Sequence, residues 1–347
     1  MTESALPPII AEANRFRAAL LARDAAAVQR LVGAYADVNK RLDQAITALL
    51  ASFGTDPLSP DAIRRLDRFR ELEAQVEREM RSYLGYVEIE MRKGVQVEIA
   101  RGLADGAALV RATLPAGAYG DAVFKAAWNR LDTAAVETML GFLSPTSPLT
   151  KRLGELAGVV SKAIADELVR GIALGLNPRQ VGRIIARAGG MGLADAIRHA
   201  RTAQLYAYRE SSRAEYLANP DIVGSWMWYA DLYGGNTCTA CIMMHGRVFP
   251  ATEVLDDHWN GRCREVPIVD WSSIGVNLPP LNYGPTGPDW FKVQTPERQL
   301  AILGPGKFEL YQGGTLDLSR LVKQVTDPIY GPMRQEAALH ELLGPAQ

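Results

Sequence analysis

The sequence predicts a mainly α protein: a multi-helix N-terminal part joined to a small α+β lobe that carries the cysteines. Three observations lead there. Residues 1–219 hold apolar stripes at helical spacing, separated by Gly- and Pro-containing breaks. After Asn219-Pro220 the composition turns to Trp, Tyr, Gly and Pro. All 3 cysteines and two of the 4 histidines then fall between positions 238 and 263. The expected organisation is a helical domain over 1–219, with candidate subdivisions near 115–120 and 144–148, a lobe over 220–330 and a short tail over 331–347.

Composition narrows the function classes. With 347 residues, 48% of them apolar and 22% charged, the chain can bury a large core and is not a disordered protein. A net charge of −1 supplies no global basic field for nucleic acid, although a local patch is compatible with it. The first residues lack a basic region followed by an apolar one, so no signal peptide is expected. No run approaches the roughly 18 apolar residues of a membrane span. An odd number of cysteines argues against a secreted disulfide scaffold and for a reducing interior.

The helices are read in order. Over 14–53, Val28, Leu31, Tyr35, Val38, Leu42, Ile46 and Leu49 form one stripe, ended by a breaker at 54–57. Ser59-Pro60-Asp61 then supplies a cap, a first-turn proline and an acid at the positive helix end. The next stripe runs Ile63, Leu66, Phe69, Leu72, Val76, Met80, Leu84, Val87, Met91, Val95, Ile99, Leu103. Its mean step of about 3.6 is that of a straight helix rather than a left-handed coiled coil. Such a helix, about 50 residues long, would span roughly 75 Å, with Gly85 and Gly94 as candidate kinks. Its stripe is either core or a face for a partner. A linker at 114–120, a helix over 121–143, a loop at 144–148 and a helix over 149–174 follow. Gly175 to Pro178 stops that helix, and Gly189-Gly-Met-Gly192 is expected to separate a short helix from one over 193–218. Beyond the boundary, 222–229 and 266–269 read as strands.

The cysteine cluster carries the chemistry. Cys238-x-x-Cys241 is the knuckle spacing with which two thiolates grip one metal ion. His258 and Cys263 would complete a tetrahedral, structural zinc site, with His245 as a competitor for the fourth place. A small Gly- and Pro-rich lobe has reason to use such a staple. Two other readings stand beside it: reduced cysteines packed against tryptophans, and a Cys238–Cys241 or Cys241–Cys263 disulfide. A thiolate–imidazole pair between Cys238 or Cys241 and His245 lacks an orienting third residue, so no catalytic residue is assigned.

These residues also carry a family resemblance. Thr237-Cys238-Thr-Ala-Cys241-Ile-Met-Met-His245-Gly246-Arg-Val-Phe249-Pro250, followed by His258-Trp-Asn260-Gly261-Arg262-Cys263, resembles the signature of the phage Mu protein F-like family of minor head proteins. Trp259 stands where that family usually has proline, and Gly261 where a further cysteine often stands. Upstream, Ala200-Arg201-Thr202, Ala207-Tyr208-Arg209 and Tyr216 resemble the helix that precedes the motif, with Ala203 in place of the usual glutamate. Gly171 to Gln180, Asp289-Trp290-Phe291, Gln299 to Pro305 and Phe308 to Tyr311 extend the likeness over residues 150–325.

The resemblance implies a non-enzymatic virion protein, assembled in the host cytoplasm and placed inside the capsid. Its implied partners are the portal, other capsid or scaffold proteins and packaged DNA, and its implied role is head assembly or DNA packaging and delivery. The portal-facing surface would be the 63–103 stripe. Two alternatives are a phage-derived effector or toxin, and a nucleic-acid-binding protein. In the latter Arg247, Arg262 and Arg264 would contact phosphates and Trp259 would stack on a base.

Overall fold

The computed structural model describes residues 7–52, 59–140, 147–174, 176, 178–234 and 237–343. The breaker at 54–57, most of the 144–148 loop, and Gly175 with Asn177 lie outside them. Among the described residues seven helices come first: α1 (Pro8–Ala51), α2 (Pro60–Arg65), α3 (Asp67–Arg111), α4 (Ala118–Ala127), α5 (Thr133–Leu140), α6 (Pro148–Ala173) and α7 (Pro178–Leu217). The mixed region then runs β1 (Ser225–Tyr229), α8 (Thr239–Met244), β2 (Val248–Pro250), β3 (Arg264–Ile268), α9 (Gly287–Lys292), α10 (Pro296–Leu303), α11 (Pro305–Gln312), β4 (Val322–Asp327), β5 (Gly331–Glu336) and α12 (Leu339–Leu343). The fold is therefore mainly α, with small sheets and the Cys/His cluster in the C-terminal region. No described helix is long and apolar enough to cross a membrane.

Several boundaries differ from the sequence reading. The 63–103 helix is divided at Leu66, which leaves the helical region (φ −72, ψ 127). Ser59 caps α2 as expected, accepting from the Ala62 N–H. The expected linker at 114–120 already contains the start of α4, and 121–143 separates into α4 and α5. The expected break at 189–192 is absent, because α7 runs through it. A β-carbon on Gly189 would lie 2.0 Å from the Tyr35 hydroxyl, so this glycine serves close packing and not chain reversal.

The chain folds into two compact units, one made of 21–95 and 141–204, the other of 1–20, 96–140 and 205–347. The described elements of the first are all helices. Its apolar stripes are its core: Leu31, Val38, Leu42, Ile46 and Leu49 of α1 are buried, as are Phe69, Leu72, Val76, Met80, Leu84, Val87, Met91 and Val95 of α3. Burying each such side chain is worth about 1.5–3 kcal/mol. Exposed ion pairs such as Arg30–Glu90 add little beside that. Tyr35 and Tyr83 meet edge to face at 5.4 Å between α1 and α3. A buried ion pair joins α1 to α7, where Arg201 Nε sits 2.8 Å from Asp24 Oδ2. Because the α3 stripe is buried, the core reading of the two offered by the sequence holds, and the stripe is not the portal-facing surface that the resemblance would have placed there.

The second unit explains why the chain does not divide at 220. Ala107 and Val110 of α3, Leu114 just after it, Phe124 of α4, Trp128 at its C-cap and Tyr216 of α7 share one apolar cluster with Ile222, Val223 and Trp271. Asn219 knits the junction: its Oδ1 accepts from the Asn129 N–H at 2.7 Å and its Nδ2 donates to the Asn129 carbonyl at 2.9 Å. The sheet has the order β2-β1-β3 with both pairings antiparallel. Alternation along β1 sends Trp226 and Trp228 to the cysteine side, in a cluster with Cys241, Met244 and Cys263. Met227 and Tyr229 turn to the other face, against Ile9, Ile10, Ala13 and Leu109. The expected tail at 331–347 is structured where described. β5 pairs with β4, and Leu342 of α12 enters an apolar cluster with Trp290, Phe291 and Leu321.

Two glycines test the packing in opposite directions. A β-carbon on Gly85 would meet nothing within 4 Å, whereas one on Gly102 would lie 2.3 Å from the Tyr208 carbonyl oxygen of α7. Gly85→Ala should therefore stabilise the protein by about 0.5–1 kcal/mol through helix propensity. Gly102→Ala should destabilise it by about 1–3 kcal/mol through overpacking. Urea unfolding of both variants reads the two signs.

Candidate metal centre

The site is built from one short helix and one loop. Cys238 caps α8, and its Sγ accepts from the Cys241 N–H at 3.4 Å. This places the two sulfurs of the Cys-x-x-Cys run at the same end of α8. Cys241 and Met244 face the tryptophans of β1, while Ile242 and Met243 face the cluster around Trp290 and Phe291. The helix is thus fixed from two sides. The loop from β2 to β3 brings the other donors. It turns at 258–261, closed by the Gly261 N–H on the His258 carbonyl at 2.8 Å, with Asn260 in the left-handed region at φ 59. Asparagine tolerates that conformation better than most side chains.

Two groups of potential ligands result. Cys238, Cys241 and His258 form one, and Cys241, Asp257 and Cys263 form the other; within each, the ligand atoms lie within 4.8 Å of one another. His258 Nε2 stands 3.2 Å from Cys238 Sγ and 3.3 Å from Cys241 Sγ. Its Nδ1 donates to the Trp259 carbonyl at 2.8 Å, so Nε2 is the nitrogen aimed at the sulfurs. A tetrahedral zinc site with Zn–S of about 2.3 Å and Zn–N of about 2.0 Å places its S and N donors roughly 3.5 Å apart. The observed spacing fits, and Cys238, Cys241 and His258 can hold a metal ion.

The electrostatics match that chemistry. The hydrogen bond with the Cys241 thiol, helped by His258 and opposed by burial, holds the Cys238 thiol down at about 5. Burial opposes a charged His258, but the Cys238 sulfur and the Asp257 carboxylate outweigh it and push the imidazole up to about 9. The neighbouring sulfur of Cys238, together with Cys263 and burial, pushes Cys241 well above its usual value. Burial raises Cys263 as well. The three cysteines are free thiols.

The remaining sequence candidates are placed elsewhere. His245 is in neither ligand group; its Nδ1 bonds the Ala230 carbonyl at 2.8 Å, and burial lowers it to about 4. The imidazole facing the thiols is His258, not His245, because α8 ends at Met244 and the His245 ring turns back to β1. The expected nucleic-acid set is divided. Arg247 and Arg262 are exposed, but Arg264 is buried, with Nη1 donating to the Ala13 carbonyl at 2.8 Å. Trp259 is half-buried; its indole N–H donates to Asp327 Oδ2 at 3.1 Å and its ring meets Tyr330 edge-on at 5.1 Å. These four side chains do not form one binding face, since both faces of β3 are covered, with Arg264 held against Ala13, and the β4–β5 hairpin engages Trp259.

Sequence reasoning missed Asp257. Its side chain has no exposed surface, and Arg209 Nη2 of α7 lies 3.5 Å from its Oδ2. Oδ1 accepts from the His258 N–H at 2.9 Å and Oδ2 from the Cys263 N–H at 3.1 Å. This carboxylate thereby folds the loop around itself. Gly261 leaves room for it: a β-carbon there would lie 2.1 Å from Asp257 Oδ2. The hairpin braces the loop from outside, through Arg334 to Asp256 at 2.7 Å and Gln324 to Asp256 at 2.8 Å. The sequence signal was slight: an Asp-Asp pair before a histidine reads as a solvated turn.

Comparison with protein-family models, curated proteins and solved structures gives no match for this chain.

Removing Arg209 strands the Asp257 charge in the interior. Arg209→Met should therefore cost about 3–5 kcal/mol. Arg262→Met, at an exposed position, should stay within about 0.5 kcal/mol. Denaturant unfolding followed by tryptophan fluorescence measures both, since Trp226 and Trp228 line the same core.

Proposed function

We propose that this chain is a structural, non-catalytic head-morphogenesis protein of a tailed phage or prophage, and that one zinc ion staples its Cys/His lobe. The observation that carries the reading is convergence. Two of the segments on which the resemblance rests meet around one centre: Cys238, Cys241, His258 and Cys263 of the motif gather there, and Arg209 of the preceding helix reaches the Gly261 carbonyl at 2.5 Å. Cys238, Cys241 and His258 would hold the ion. When bound, zinc would supply no reaction here; it would join α8 to the β2–β3 loop and take the place of the proton between Cys238 and His258. The lobe would then act as a rigid block for assembly beside the portal.

A second reading rests on a cleft of about 200 Å³ that reaches Cys238 and is lined also by Asp231, Thr239, Arg298 and Glu336. In it, Cys238 is a reactive thiolate paired with His258, as in a phage-derived effector.

Both readings meet in one set of measurements. Protein purified without chelators should contain about one zinc per chain. Its Cys238 should resist alkylation until the metal is removed. Mass spectrometry of purified particles should find the chain, and co-expression with its portal should give a soluble complex. Zinc-free, folded protein whose Cys238 alkylates at once, and which is missing from particles, would move the assignment to the effector.

A further inference from the structure

We propose that Asp257, and not Cys263, is the fourth protein ligand of this centre, so that the ion is held by two thiolates, one imidazole and one carboxylate. The assignment rests on the zinc reading above and deepens it.

Geometry selects the carboxylate. Ligand atoms around a tetrahedral zinc lie roughly 3.3–3.6 Å apart when a carboxylate oxygen, at about 2.0–2.2 Å from the metal, joins sulfur and imidazole nitrogen. Asp257 Oδ1 is 3.5 Å from Cys241 Sγ and 3.6 Å from His258 Nε2. It therefore already stands at ligand spacing from two of the three donors in the Cys238, Cys241 and His258 group. Asp257 and Cys263 both belong to the other group, which shares only Cys241 with the first; of the two, Asp257 also reaches the His258 imidazole. Its sulfur packs in the apolar cluster with Trp226 and Trp228.

The loop also presents the right oxygen. Oδ2 is engaged by the Cys263 N–H and faces Arg209, while Oδ1, which also accepts from the His258 N–H, is turned toward the Cys241 sulfur and the imidazole. Such a carboxylate binds through one oxygen and keeps its orientation through the other.

Charge points the same way. The centre is buried, and buried charge is tolerated when it is compensated. Two thiolates and one carboxylate are balanced by a divalent ion and the Arg209 guanidinium. A third thiolate, with Asp257 still ionised, would leave one negative charge uncompensated in the interior.

The deciding measurement is X-ray absorption fine structure at the zinc edge of the full-length wild-type protein. Two sulfur and two nitrogen or oxygen neighbours are expected; three sulfurs would overturn the assignment. Elemental analysis of variants gives an independent reading. Cys263→Ser should keep one zinc per chain, and Asp257→Asn should weaken zinc retention at least about tenfold in chelator competition. Loss of zinc from folded Cys263→Ser protein counts against Asp257 as ligand. A wild-type protein without zinc removes the underlying zinc reading and this assignment with it, whereas a three-sulfur zinc protein overturns the ligand assignment alone.

Discussion

The Arg209–Asp257 ion pair is the interaction on which the C-terminal structure depends. Asp257 has no exposed side-chain surface, and a carboxylate can be kept there only with a cation and donors around it. Arg209 supplies the cation from α7, and the backbone of His258 and Cys263 supplies the donors. The loop that carries His258 is thereby fastened to the last turns of α7. The buried acid also sits 3.5 Å from Cys241 Sγ, so the ion pair and the sulfur cluster are one electrostatic assembly. Its orientation decides where the imidazole points.

The hairpin of β4 and β5 has a matching role on the outer side. It binds Asp256 through Gln324 and Arg334, and Trp259 through Asp327 and Tyr330. Asp257 and His258 lie between those two held residues. The ligand loop is thus fixed at neighbouring positions from the helix side and from the hairpin side. That arrangement suits a site whose geometry must be preformed before an ion arrives, because ordering the loop afterwards would weaken binding.

What was legible in the sequence follows from how local each signal is. Helices reported by periodic stripes, such as Leu31 to Leu49 and Phe69 to Leu103, appear where expected because burial of one face repeats along many turns. The Cys-x-x-Cys knuckle and His258 come together because α8 and one turn set their spacing. Long-range partners were not legible. Nothing near Arg209 in sequence announces Asp257, and nothing near Gly189 announces the Tyr35 hydroxyl that makes it a packing glycine instead of a break. The boundary at Asn219-Pro220 was misplaced for the same reason. A change in composition marks a change in local structure, but Tyr216 and Ile222 share one core across it. Arg264 shows the converse: an arginine in a basic-looking run lies inside because both faces of its strand are covered and it bonds the Ala13 carbonyl.

Gly261 ties these arguments to the shape of the loop, and the structure gives a local reason for a glycine at this position. Any side chain at 261 would press its β-carbon to within 2.1 Å of the Asp257 carboxylate. Glycine at 261 and a buried acid at 257 are therefore one choice, made together. A cysteine at 261 would require the acid to leave, and with it the partner of Arg209 and the acceptor for the His258 N–H. Cysteine count by itself therefore says less about the centre than the acid that precedes the histidine.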